Sequence, residues 1–388
     1  MTTTTTIPKI TGQGANPLKS LLAYGQSPWM DYVRRDLLTT GQLKKYIEND
    51  GLRGMTSNPS IFEKAIAESN LYTDILSSPE SKKLDAKGLF EKIAIRDIQD
   101  ACDIFAPVYK ESNRRDGYVS IEVSPFLAND TQGSIEEARR LWKSVNRPNV
   151  MVKIPGTPEG LLAIRQMLEE GLNINITLLF AQSAYEKVAE AFLAALETRA
   201  AEGLDISHIA SVASFFVSRI DTLVDNIIDQ KLKAGADAAQ KALLESLRGK
   251  IAIANARRTY KKYQELFSGP RWKALAAKGA QTQRLLWAST STKNPMYRDV
   301  LYVEELIGAD TVDTIPPATF DAFRDHGKLR PSLTENVDGA RQTMDDLAKA
   351  GISMKEVTDQ LLVDGVKLFG DAFKKLLEAT GKSAGVRA

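Results

Sequence analysis

The sequence predicts an α/β protein built as a (β/α)8 TIM barrel, with additional helices and a C-terminal helical segment. Three observations carry that expectation. The run Val150-Met151-Val152-Lys153-Ile154, stopped by Pro155-Gly156, is short and apolar with one lysine set into it; a run of this length between breakers reads as a strand buried on both faces, as in a parallel sheet wrapped by helices. Eight such strand candidates alternate with helical segments along the chain, the signature of βα repetition. Finally, Asp31, Asn58, Glu122, Lys153, Thr177, Ser214 and Ser289 all fall at or near the carboxyl ends of different strand candidates, where a barrel gathers its reactive groups. Seven polar groups so placed would be a costly way to build a plain core.

In chain order, residues 1–18 read as a mobile arm and residues 19–388 as a single barrel domain that opens on a helical stretch near Lys19 to Gly25. The first strand is expected at Pro28 to Val33, where alternation puts Trp29, Asp31 and Val33 on one face. Asp31 is there either as a buried acid or as a strand-end cap. A helix from Leu37 to Asn49 leads through Gly51 and Gly54 to a short second strand ending at Thr56-Ser57-Asn58-Pro59-Ser60. The proline biases Asn58 toward extended geometry, leaving its amide either to bond a ligand or to cap the helix that starts near Ser60. Helices fill Ile61 to about Phe105. In the third strand, Tyr118 to Ser124, one side is apolar and the other carries Ser120, Glu122 and Ser124; in a closed parallel barrel that polar side faces the central cavity.

A helix from Ile135 to Ser144 precedes the lysine strand, and another from Pro158 to Glu170 follows it and stops at Gly171. The fifth strand, Asn173 to Phe180, sets Asn173, Asn175 and Thr177 against Ile174, Ile176 and Leu178. After the helix Gln182 to Ala200 comes a sixth strand, His208 to Val217, with Arg219 at the start of the helix Ile220 to Lys233. The charged helical interval at residues 234–280 reads as an insertion on the outer ring. Arg284 to Ser289 is the seventh strand and runs into Thr290-Ser291-Thr292-Lys293-Asn294-Pro295; Thr311 to Ile315 is the eighth. Helices at Val337 to Ala350 and Met354 to Ala379 end the pattern.

Composition excludes several functions. The 388 residues contain 51 basic and 49 acidic side chains, a near balance that points to neither a nucleic-acid nor a membrane surface as partner. With Cys102 as the sole cysteine no intramolecular disulfide framework is possible, which fits a reducing, cytoplasmic location; no apolar run is long enough to span a bilayer. His208 and His326, the only histidines, belong to no metal-ligand pattern and read as structural. No phosphate-binding P-loop and no Gly-x-Ser-x-Gly elbow are present.

The chemistry therefore rests on Lys153. An exposed lysine has a pKa of about 10.4 and is an inert ammonium near neutrality, whereas a lysine deprotonated by its surroundings is a nucleophile that condenses with a ketone to a Schiff base. Gly54-Met55-Thr56-Ser57-Asn58-Pro59-Ser60, Trp29-Met30-Asp31, the lysine strand and Asn175-Ile176-Thr177-Leu178-Leu179-Phe180 together closely resemble transaldolase of the longer bacterial type, over nearly the whole chain. The resemblance implies Lys153 as the Schiff-base lysine, Asp31 as the acid/base group for carbon–carbon cleavage, Glu122 as a carboxylate working through a water, and Thr177 as the residue positioning that water. Thr56, Asn58, Asn175, Ser214 and Ser289 are similar to substrate-holding groups, Asn58 and Ser214 on the dihydroxyacetone part. Arg219 resembles a phosphate-binding arginine, a role suited to guanidinium geometry. After the seventh strand the commoner pattern has an arginine; here the second phosphate contact falls to Lys293 or a neighbouring Ser/Thr.

The implied reaction moves a dihydroxyacetone unit from sedoheptulose 7-phosphate or fructose 6-phosphate to glyceraldehyde 3-phosphate or erythrose 4-phosphate, in the non-oxidative pentose phosphate pathway. It calls for no metal and no cofactor. The partners implied are sugar phosphates, and both monomer and homodimer stay open. The last helix, near Leu368 to Leu377, is expected to cover the site. The alternatives are a fructose-6-phosphate aldolase-like lyase, which typically has glutamine at the position of Glu122, and a non-catalytic sugar-phosphate-binding barrel.

Overall fold

The computed structural model describes residues 16–384. Eight parallel strands close into a barrel in sequence order, the last pairing with the first. They are β1 (Gln26–Asp31), β2 (Gly54–Thr56), β3 (Tyr118–Glu122), β4 (Val150–Pro155), β5 (Ile174–Leu179), β6 (Ser211–Phe216), β7 (Arg284–Ala288) and β8 (Thr311–Ile315). Before and between the first three strands run α1 (Pro17–Ser20), α2 (Arg35–Thr39), α3 (Gln42–Asp50), α4 (Pro59–Ala67), α5 (Thr73–Leu76) and α6 (Ala86–Glu111). Next come α7 (Thr131–Val145), α8 (Pro158–Glu169), α9 (Gln182–Ala201) and α10 (Ser218–Lys233), one after each of β3 to β6. The connection to β7 adds α11 (Ala238–Leu247), α12 (Ile251–Leu266) and α13 (Pro270–Ala276). The remainder is α14 (Leu301–Glu305), α15 (Pro317–His326), α16 (Val337–Lys349) and α17 (Met354–Ala384).

Local chemistry explains the starts of these helices. Asp85, Asp130 and Thr157 each accept the backbone N–H three residues on with a side-chain oxygen, capping α6, α7 and α8, and proline occupies the first position of α4, α8 and α15, where its missing N–H loses nothing. Outward strand positions such as Ile121, Val152, Ile154, Ile174, Ile176 and Phe215 are almost wholly buried and form the apolar layer between barrel and helices. Across the amino-terminal end of the barrel, buried Arg284 donates to Asp116 Oδ1 at 2.9 Å and to Ser27 Oγ at 2.8 Å, a paired charge that leaves the opposite rim as the open one.

Several boundaries depart from expectation. Residues 1–15 of the expected arm lie outside the described residues, but the arm does not extend to residue 18: Asn16 caps α1 by accepting from Leu18 N at 3.0 Å, and Leu18 is buried. β1 starts at Gln26 and ends at Asp31, because Gln26 is tied to Leu306 O and Thr311 Oγ1 inside the fold. The run of α15 after Pro316-Pro317 was not anticipated, nor was α14, and α17 continues to Ala384. The interval 234–280 contains α11, α12 and α13, and α12 packs against α9, α10 and α16. In β5 the alternation breaks at Leu178, which takes φ 60° where the ladder to β6 shifts register, a bulge of the kind found beside functional sites. Leu178 meets α17 at Gly365, where a Cβ would lie 3.0 Å from Leu178 Cδ2; the glycine lets the last helix cross close over the barrel mouth.

Candidate active site

A cavity of about 860 Å³ opens at the carboxyl ends of the strands. Lys153 projects into it from β4, 4 % exposed, its Nζ donating to the Ser57 carbonyl at 3.2 Å and lying 3.7 Å from Glu122 Oε2. Glu122 and Lys153 are ladder partners on β3 and β4, so side-chain alternation sends both inward at one height. Burial, reinforced by Asp31 and opposed by the Lys153 ammonium, pushes the Glu122 carboxyl up to about 7. Neither Glu122 Oε2 nor Thr177 Oγ1 has a hydrogen-bond partner among the described residues. Such free, buried oxygens beside a cavity are suited to hold a small polar molecule.

Asp31 is held from two sides. Thr56 Oγ1 donates to its Oδ1 at 2.7 Å and Asn58 Nδ2 to its Oδ2 at 3.0 Å, while Thr56 Oγ1 also meets Thr314 Oγ1 at 2.9 Å. The cap reading of Asn58 holds, since its Oδ1 accepts from Ile61 N at 3.2 Å and caps α4, while its amide is bonded to the cavity acid Asp31. Asp31 is accordingly no strand-end cap.

At the opposite side of the cavity stand two cations. Arg219, in the first turn of α10, lies 5.5 Å from the Phe216 ring, and Lys293 donates to Ser291 Oγ at 2.7 Å. Burial holds the Arg219 guanidinium below its ordinary value; burial and then the charge of Arg219 do the same to Lys293. Neither forms an ion pair among the described residues. A half-buried guanidinium and an exposed ammonium, neither paired with an acid, are chemically suited to receive an anion. Ser289, at φ 58°, lines the same wall and shares a 3.0 Å hydrogen bond with Ser218 Oγ.

Lys153, Asp31, Thr56, Asn58, Thr177, Ser214, Arg219, Ser289 and Lys293 all line this one cavity, and Glu122 joins it through Lys153. Asn175 is the exception. It is fully buried beneath the wall, donating to Ser120 Oγ at 3.0 Å and accepting from Ser214 Oγ at 2.7 Å, so it touches the cavity only through Ser214. Three aromatic lining residues, Tyr32, Phe216 and Phe369, were not among the candidates. Phe216 could have been found, two residues beyond Ser214 on the same face of β6. Phe369 of α17 lies in the stretch that the resemblance places over the site, but nothing in the pattern singled it out: its ring centre is 5.7 Å from Lys153 Nζ, a proximity created by the path of a helix far away in sequence. The two histidines stand on the surface beside aspartates, His208 with Asp205 and His326 with Asp299 and Asp325.

The family model for transaldolase/fructose-6-phosphate aldolase matches residues 28–380. The transaldolase of Trichodesmium erythraeum is 48% identical over 366 residues, covering 94% of this chain and 96% of its own. Transaldolase 2 of Nostoc sp. is 48% identical over 367 residues with the same coverage, and the transaldolase of Thiobacillus denitrificans is 45% identical over 366 residues, 94% of this chain and 100% of its own.

Proposed function

The chain belongs to the transaldolase/fructose-6-phosphate aldolase family and is an enzyme with transaldolase activity, and on that premise we propose that Lys153 carries the transferred three-carbon unit as a Schiff base. Its amine attacks the C2 carbonyl of fructose 6-phosphate or sedoheptulose 7-phosphate, and loss of water from the carbinolamine gives an iminium. Asp31 accepts the proton of the C4 hydroxyl as the C3–C4 bond breaks. The bonding electrons pass into the iminium, leaving an enamine on Lys153 while the aldose phosphate departs. The enamine then attacks the aldehyde of a second aldose phosphate, Asp31 returns the proton to the new hydroxyl, and water releases the ketose.

Glu122 and Thr177 hold the water that is lost and regained at C2, a role supported by their unpartnered oxygens. Asn58 and Ser214 contact the dihydroxyacetone hydroxyls, and Arg219 with Lys293 takes the phosphate, since each cation lacks an acidic partner. The observation that carries the whole reading is the buried Lys153 nitrogen set 3.7 Å from a carboxylate in a cavity that also contains Asp31. The single cysteine, Cys102, free and buried, supports a reducing, cytoplasmic setting; no helix among the described residues is long and apolar enough to cross a membrane.

Borohydride reduction in the presence of fructose 6-phosphate, followed by peptide mass spectrometry, tests the assignment. A three-carbon adduct is expected on Lys153 and absent from Lys153→Ala; trapping elsewhere, or none, would overturn it. Free dihydroxyacetone released in place of transfer product would favour the lyase reading.

A further inference from the structure

Asp313 has no place in the mechanism above, yet it is wholly buried. It lies on β8 between Val312 and Thr314, and Thr314 faces the barrel interior, where its hydroxyl meets that of Thr56. Strand alternation therefore turns Asp313 outward, into the apolar layer where neighbouring positions carry Phe215 and Trp287. A carboxyl is expensive there unless something requires it. Its Oδ1 accepts from Thr290 Oγ1 at 2.9 Å, and its Oδ2 has no partner among the described residues. Burial pushes the Asp313 carboxyl up to about 8.

Thr290 is equally buried and lies in the segment that carries the anion site. Immediately before it, Ser289 is bonded to the first residue of α10 twice, Ser218 N donating to Ser289 O at 3.1 Å and the two hydroxyls meeting at 3.0 Å. Arg219 is the next residue along α10. Immediately after Thr290 come Ser291 and Lys293, bonded to each other in the cavity wall. The segment is thus pinned to α10 by Ser289 and to β8 by Thr290, and among the described residues Asp313 is the only side chain bonded to the second pin.

We propose that Asp313, acting through Thr290, is a positioning residue that holds the Ser289–Lys293 segment so that Lys293 faces Arg219, and so determines affinity for the phosphate end of the substrate. This rests on the reading of Arg219 and Lys293 as the phosphate site. Asp313 touches no substrate atom; its contribution is to binding.

The experiment compares the full chain with Thr290→Val, Thr290→Ser, Asp313→Leu and Lys293→Gln. KM and kcat are measured for fructose 6-phosphate, and Ki for inorganic phosphate as a competitive inhibitor. Thr290→Val should raise KM and the phosphate Ki together by about tenfold, the scale of one lost buried hydrogen bond, with kcat within about twofold. Thr290→Ser, which keeps the donor, should restore both. Asp313→Leu relieves a buried acid and should melt no lower than the parent while still raising KM and Ki, a combination that loss of fold would not produce. If Lys293→Gln raises the phosphate Ki but Thr290→Val and Asp313→Leu do not, or if Thr290→Ser fails to rescue, the positioning role is wrong and the phosphate site stands. If Lys293→Gln leaves Ki unchanged, the phosphate site itself is wrong and the proposal falls with it.

Discussion

The Lys153 ammonium and the Glu122 carboxylate occupy facing rungs of the β3–β4 ladder, 3.7 Å apart, with side chains only 5 % and 10 % exposed. Burial raises the Glu122 carboxyl and the neighbouring Lys153 opposes that rise, so the proposed proton-handling role of Glu122 can be tested through pH.

With Glu122 raised to about 7, its proton-accepting form grows in as pH rises through neutrality. The kcat/KM profile for transfer should show an ascending limb near pH 7. Glu122→Gln should lose that limb and fall by about 10²-fold, the usual scale for one general acid–base group. A limb of unchanged position in the variant would assign it to another residue.

Asn58 serves the helix and the acid at once, and substitutions can separate the two. Asn58→Ser keeps an oxygen able to cap α4 and drops the amide that bonds Asp31, so single-turnover cleavage should slow by about tenfold with a stability change within about 0.5 kcal/mol. Asn58→Ala should slow cleavage to the same degree and lose about 1 kcal/mol more by urea melt, the cost of an absent cap. Equal stability in the two variants would show that the cap contributes nothing.

The Phe369 ring centre stands 5.7 Å from the Lys153 nitrogen, a position from which it would shield the proposed enamine from bulk water. Phe369→Ala should raise the ratio of free dihydroxyacetone to transfer product by several-fold while borohydride trapping persists, since water then competes with the acceptor aldehyde as the source of reaction at the enamine carbon. An unchanged ratio would remove the shielding role.

Asp313 also makes a prediction for stability against pH. Its folded value, about 8, lies above the unfolded value of about 3.9. Between these the native state binds more protons than the unfolded state, so this residue lowers stability progressively as pH rises through the window, and no further above it. Urea melts of Asp313→Leu and the parent should therefore diverge in favour of the variant from pH 5 to pH 8. Parallel curves would mean that Asp313 is ionised throughout.

The strands were legible because their residues obey two simple rules at once, burial on both faces and stops at Pro, Gly or Asn; Thr311–Ile315 is bounded as read. Lys153, Asp31 and Glu122 were legible because a charged residue inside such a run contradicts its surroundings. Asn175 shows the limit of that logic: alternation correctly turned it inward, but depth along the barrel axis decides between touching substrate and supporting Ser214, and depth depends on the stagger of neighbouring strands. The stretch containing Phe369 was expected over the site from the resemblance alone, since helix periodicity marks which face is apolar and not what that face will cover. The arm was drawn too long because Leu18 is the only apolar anchor in the first turn of α1, too little for a pattern.

The Gly365 contact with Leu178 has a consequence for biosynthesis. β8 ends at Ile315, well before the helix that bears Phe369, so a nascent chain contains every strand, and Lys153, before the helix above Lys153 has been translated. α17 also supplies Leu361, Phe373 and Leu376 to the buried core, so a product ending ahead of it would lack part of that core as well as the cover over the cavity.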